Sequence, residues 1–160
     1  MKNIFLSIQA ELSKIKALKY IDKDWGQLQY EQPPVKWPCA LIDVANIDFK
    51  QLGRGCQQGE ADITVTVANT NLVRSSALAP NKNNAYATID LLEEIHQALQ
   101  LFSDGRHFSP LMRTNLQKAE ADKNMEAYVM TYRTAFVVEK QQPEKRLVDV
   151  RPKVIVEGKG

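Results

Sequence analysis

The chain has two cysteines, two histidines and seven glycines in 160 residues, and its longest apolar runs, such as Cys39 to Ile42 and Ala135 to Val138, are four residues long. Each shortage excludes something. Two thiols are too few for a disulfide framework or a Cys-based zinc site, and His96 and His107 make no metal pattern with one another. No apolar run approaches the roughly 20 residues of a membrane-spanning helix. Ser7, Gln9 and Glu11 follow Ile4-Phe5-Leu6 before a signal-peptide core develops, so the expected setting is the cytosol, with both thiols reduced. An excess of one charge is missing too. Twenty-one Lys and Arg face 19 Asp and Glu, a net +2, which gives no whole-molecule attraction to nucleic acid or to an acidic membrane.

What remains is an ordinary globular composition, 44% hydrophobic and 25% charged, at a length that suits one domain. Ile4, Ile8, Leu12 and Ile15, widened by Phe5 and Leu18, predict an amphipathic helix over residues 2–19. Gln27 to Tyr30 alternates, and Pro33, Pro34 and Pro38 forbid a helix before Cys39. Cys39 to Phe49 reads as a strand, and Ala61 to Val67 as a second one with strict alternation. Between them lie Gly53, Gly55 and Gly59, so the pair is expected to form an antiparallel hairpin. Residues 69–84, with five asparagines, two serines and Pro80, read as a long loop. A second helix is expected from Tyr86 to Phe102, with Ile89, Leu92, Ile95, Leu99 and Phe102 on its apolar face. Phe108 to Leu116 reads as extended, Lys118 to Asn124 as a polar turn, and Met125 to Val138 as a long strand with Tyr128, Met130, Tyr132, Thr134 and Phe136 on one face.

The expected fold class is therefore α+β, a mainly antiparallel sheet flanked by two amphipathic helices in the order α-β-β-β-α-β-β, spanning residues 1–138. Residues 139–160 differ in kind. They carry six Lys and Arg against four Asp and Glu, so the whole net charge sits there, together with two apolar patches, Leu147-Val148-Val150 and Val154-Ile155-Val156, divided by Pro152. This segment reads as an arm able to lie along another surface or pair as an edge strand.

Catalytic chemistry finds little support. The glycine-rich loop lacks the Gly-Lys-Ser/Thr ending of a phosphate-binding loop and leads into a strand, so it reads as a hairpin turn. Cys39 begins an apolar run, and neither cysteine carries a nucleophile signature. Asp22 with Asp24 is assigned to a polar link at the end of the first helix, and Glu93 with Glu94 to the wet face of the second. Tyr128, Tyr132 and Phe136 on one strand face raise the thought of stacked bases, but Arg133 is on the opposite face and the three are assigned to the core. The expectation is a chain that is not an enzyme and holds no cofactor or metal.

Asp24-Trp25-Gly26-Gln27, the strand Pro38-Cys39-Ala40-Leu41-Ile42-Asp43, the turn Gly55-Cys56-Gln57-Gln58-Gly59, the alternating Ile63 to Val67, the long second helix, and Phe108-Ser109-Pro110-Leu111-Met112-Arg113-Thr114 resemble the tail terminator proteins of long-tailed bacteriophages and prophages, also called tail completion or minor tail proteins. The resemblance covers residues 1–138; the C-terminal arm departs from it. It implies a structural protein that forms a ring, commonly a hexamer, on the end of the tail tube, stops tube polymerisation and supplies the head-joining surface. Its partners would be other copies of itself, the tube protein and a head-tail connector. DNA would pass through the lumen without sequence-specific contact, no membrane would be involved, and the location would be the bacterial cytoplasm during assembly and then the virion tail. The residues expected to make subunit or tube contacts are Lys50, Arg54 and Gln57 at the hairpin tip, Val73 and Arg74 in the long loop, and Leu147, Val150, Val154 and Val156 in the arm. The rival readings are another small neck or head-tail connector subunit and a cytosolic regulatory or nucleic-acid-binding module.

Cys39→Ala and Cys56→Ala are each expected to leave function intact. Loss of an activity in a variant that still folds, judged by circular dichroism, would restore a thiol nucleophile.

Overall fold

The structure, a computed structural model, describes residues 1–53, 55–70, 85–120 and 125–139. Within these the chain runs α1 (Lys2–Leu12), β1 (Tyr20–Lys23), a 3-10 turn (Gln27–Gln29), β2 (Cys39–Gly53), β3 (Cys56–Asn69), α2 (Ala87–Leu99), β4 (Met112–Lys118) and β5 (Glu126–Glu139). The strands form one sheet in the order β1-β2-β3-β5-β4.

The α+β class stands, but the sheet type, and which residues supply the first strand, need correction. The sheet is mixed, because β1 pairs parallel with β2, Tyr20 opposite Cys39 through Lys23 opposite Ile42. The first helix ends at Leu12 instead of residue 19. Ile15 and Leu18 are buried as the helical spacing requires, yet their N–H groups bond to Leu12 and Ile15 three residues back, so turns carry the apolar stripe onward after the helix has stopped. Asp22, read as part of a helix-ending link, lies in β1. The alternating Gln27 to Tyr30 is no strand. Gly26 at φ 90° turns the chain there, and the buried Gln27 side chain donates to the Lys23 carbonyl at 2.8 Å and accepts the Trp25 N–H at 2.8 Å. Those bonds hold a turn where a strand would need ladder partners.

Alternation decides the rest of the sheet. On one face Ala40, Val67 and Tyr128 form a row across β2, β3 and β5, followed by Ile42, Val65 and Met130, then Val44, Ile63 and Tyr132. Ile4, Ile8 and Leu12 of α1, together with Leu91, Leu92, Ile95 and Leu99 of α2, cover this face, and the two helices also touch each other. Each fully buried Ile or Leu here contributes about 1.5–3 kcal/mol. Ile89, expected inside, is exposed, and Thr88 and Leu91 are buried instead, which rotates the apolar face of α2.

The opposite face is different in chemistry. At one end Cys39, Ala68 and Ala127 pack under Leu28, Val35 and Trp37. Further along, Asp43, Thr64, Thr131 and Asn115 make a half-exposed polar row, and Arg133 binds Asp62 bidentately at 2.8 and 2.9 Å. An antiparallel region with one covered and one wetted face accounts for the alternation in β3 and β5.

Gly59 marks the end of the core. A Cβ there would come within 2.6 Å of Cζ of Phe136, the ring directly across the ladder. Gly59→Ala is expected to cost about 1–3 kcal/mol in chemical denaturation. The added Phe136→Ala change should recover part of that loss, a coupling that a double-mutant cycle measures.

Candidate functional site

β2 and β3 continue as a hairpin well beyond the helices. After Val44 an extra residue, Ala45, shifts the register, and pairing resumes at Asn46 with Asp62 and runs to Gly53 with Cys56. Gly55, at φ 75°, supplies the left-handed backbone that closes this short reversal. β5 runs alongside to the same end, Glu139 opposite Cys56, so the projection has three strands.

This projection exposes apolar side chains that the strand pattern alone assigns to a core. Phe49 is 54% exposed, Leu52 53%, Val137 56% and Val138 43%. Phe49 is not disordered in its packing: its ring meets Phe136 edge-on, with centroids 6.1 Å apart and planes at 88°. Large apolar side chains grouped in the open on one projection set it apart from an ordinary solvated surface, where such residues are scattered singly.

Of the residues singled out from sequence, Lys50 and Gln57 lie on this hairpin and both are exposed. They do not share a face. Lys50 pairs with Gln58 and Gln57 with Gln51, and neighbouring rows of a ladder point to opposite sides. Arg54, Val73 and Arg74 fall outside the described residues, as do Leu147, Val150, Val154 and Val156. The residues that sequence reasoning missed are Phe49, Leu52, Val137 and Val138, and no local signal marks them: Ile47-Asp48-Phe49 still alternates and Ala135 to Val138 is continuously apolar.

Beside the base of the projection runs an open groove of ≈ 580 Å³, walled by Met1, Ile4, Arg106, His107 and Phe108 on one side and by Phe136 to Glu139 of β5 on the other. Its loop wall is held by Asp104. The Asp104 carboxylate accepts the N–H groups of Arg106 at 3.0 Å and His107 at 2.7 Å, the Ser7 hydroxyl at 3.3 Å, and lies 2.6 Å from Nδ1 of His107. Burial on its own would raise this carboxyl, but the His107 and Arg106 N–H groups and the His107 ring outweigh it and hold the group well below the usual carboxylate range. Across the loop, Ser103 Oγ donates to the Phe108 carbonyl at 2.5 Å and accepts the Gly105 N–H at 3.0 Å.

The groups with latent chemistry are placed as structural ones. Burial pushes the Cys39 thiol up to about 11, in an apolar cluster with Ala68 and Ala127. Burial also lowers His96, helped by the charge of Arg113, and its Nδ1 sits 3.5 Å from the Tyr132 hydroxyl, itself pushed up to about 12 by burial. Among the described residues no three His, Cys, Asp or Glu side chains gather as metal ligands, and no helix is long and apolar enough to cross a membrane.

No protein-family model matches the chain, and no curated protein does. A solved chain described as "Virion of native gene transfer agent (GTA) particle" matches over 86% of this chain and 95% of its own, with a TM-score of 0.52 and 13% identity. The likeness is one of fold.

Because the folded carboxyl of Asp104 titrates below its ordinary value of 3.8, its stabilising effect is fully present above that value and is lost as the pH falls through the folded one. Asp104→Asn should therefore melt several degrees lower than the wild type at pH 7. The gap should narrow steadily below about pH 4, as thermal melts at stepped pH will show.

Proposed function

We propose that this chain is a structural component of a phage or prophage particle, and within that class a tail terminator. It assembles as a ring, most simply a hexamer, on the end of the tail tube, halts tube polymerisation and offers the surface to which a head-tail connector joins. DNA passes through the ring without being read. The chain acts without catalysis and without a cofactor, in the bacterial cytoplasm during assembly and in the virion tail afterwards.

The observation that carries this reading is the near end-to-end fold likeness to a chain of a gene transfer agent virion. Two features of the molecule support it. The three-stranded projection carries Phe49, Leu52, Val137 and Val138 out to solvent, as a subunit built for protein contact requires. Beyond its apolar end at Cys39, Ala68 and Ala127, the sheet face opposite the helices carries the polar row Asp43, Thr64, Thr131 and Asn115, suited to standing in water. A ring needs a head-to-tail contact between different surfaces of the same chain. The projection of one subunit against the body of the next has that form.

Mixing the chain with polymerising tube protein tests the reading. Tubes of limited length, each with a ring at one end in negative-stain images, are expected; unlimited growth with bare ends would overturn it. Phe49→Ser with Leu52→Ser should abolish capping while leaving the circular dichroism spectrum and melting temperature within a few degrees of wild type, since both side chains lie outside the core.

A further inference from the structure

The sheet has an open stretch of edge on each side. On the β2 side the Ile42 carbonyl takes the Asp24 N–H at 2.8 Å, and past that bond no described residue pairs with the outer side of β2. Alternate residues of a strand turn their N–H and C=O to the same side. Ile42 and Val44 therefore face outward, and beyond the extra residue Ala45 the outward set is Ile47, Phe49 and Gln51. On the β4 side the Arg113 N–H donates away from β5, to Oε1 of Gln100 at 3.1 Å, while the Ala119 N–H donates toward β5, to the Ala127 carbonyl at 2.9 Å. Counted back from Ala119, Leu116 and Lys118 turn their main-chain groups outward, and no described residue meets them. Such edges accept a further strand.

The two edges fit each other. Three antiparallel pairings separate β2 from β4, so the strands run in opposite directions, and β4 of a copy turned about a common axis arrives antiparallel to β2. Within one molecule the pairing is impossible, because β3 and β5 stand between and hold the two strands about 14 Å apart. Leu116, half-exposed, lies opposite Met130, and Phe49 packs on Phe136, so both belong to the helix-covered face and would continue one apolar row across the joint. Charge selects between partners. The charged residues of β4 are Arg113 and Lys118, so two β4 strands side by side would crowd like charges. The open stretch of β2 instead carries Asp48, with Glu60 directly across the ladder behind it, against Lys50.

The geometry also closes. Traced through the pairings, β4 lies level with residues 40–46 of β2, whereas the open stretch is 44–51. Neighbouring copies are then staggered by about five residues, ~17 Å, across four strands that span ~19 Å. This corresponds to a strand tilt of about 40°, inside the roughly 35–45° at which sheets close on themselves.

We infer that β4 of one copy adds antiparallel to residues 44–51 of β2 in the next copy. The contact is head-to-tail and joins the sheets of all subunits when repeated about an axis. It rests on the ring reading above and deepens it by naming the strands that meet.

Cross-linking of the full chain tests it. In a Cys56→Ser background, one preparation carries Asn46→Cys and another Gln117→Cys, both exposed and on the same sheet face. The two are mixed with tube protein and treated with a short bismaleimide. A covalent heterodimer is expected, at least tenfold in excess of either homodimer. Homodimers in its place would show that like edges meet and would overturn the inference, as would the absence of any cross-link. Arg113→Glu with Lys118→Glu should reduce ring formation at least tenfold at a concentration where the wild type assembles, with a melting temperature within a few degrees of wild type. Adding Asp48→Lys and Glu60→Lys to that chain should recover most of the loss; rings indifferent to the first reversal would count against the pairing. If tubes are capped normally and no heterodimer forms, the edge pairing is wrong and the ring reading survives. If the heterodimer forms but tubes are never capped, the pairing stands and the tail assignment falls.

Discussion

The apolar face of the five-stranded sheet has to be covered, and two short helices do the covering. At 1.5 Å per residue the 13 residues of α2 reach about 20 Å, whereas the 15 residues of β2 extend about 50 Å. The strands therefore outrun their cover. Everything distinctive about the molecule follows from that mismatch: the core closes where Phe136 lies over Gly59, and past that row the same strands become a projection with water on both sides. The hydrogen-bonded ladder keeps the projection ordered after hydrophobic cover ends, because each strand there still has a neighbour to bond.

The mismatch also explains which parts of the fold were legible in the residues. β3 and β5 hold a period of two over most of their 14-residue lengths, so the rows through Ile63, Val65, Met130 and Tyr132 are evident without coordinates. β1 is not: Tyr20-Ile21-Asp22-Lys23 is too short to show a period, and it becomes a strand only because Cys39 to Ile42 lies beside it. Local spacing misled at the end of α1, where Ile15 and Leu18 continue a helical stripe through turns. At Gln27 a side chain bonded to backbone replaced the ladder that alternation suggested. A distant strand settled β1, whereas short-range bonds settled Gln27 and the turns after Leu12.

For the candidate site the same limit applies more sharply. A glycine-rich reversal between two strands announces a hairpin, and Lys50 and Gln57 do sit on it. Nothing local distinguishes an apolar strand residue that is covered from one that is not. Val65 and Val138 occupy the same sheet face, yet helices reach the first and stop short of the second. An alternating apolar pattern thus reports which face a residue occupies; how far the covering layer extends is a property of another part of the chain.

The division at Gly59 separates two kinds of selective pressure. Inside it, each change of volume disturbs a packed interior, so the sequence is constrained by the need to fold. Outside it, side chains such as Leu52, Val137 and Val138 are about half exposed, and their replacement leaves the body intact. Residues of the projection can therefore change without renegotiating how the body folds, and sequence can drift there while the architecture persists.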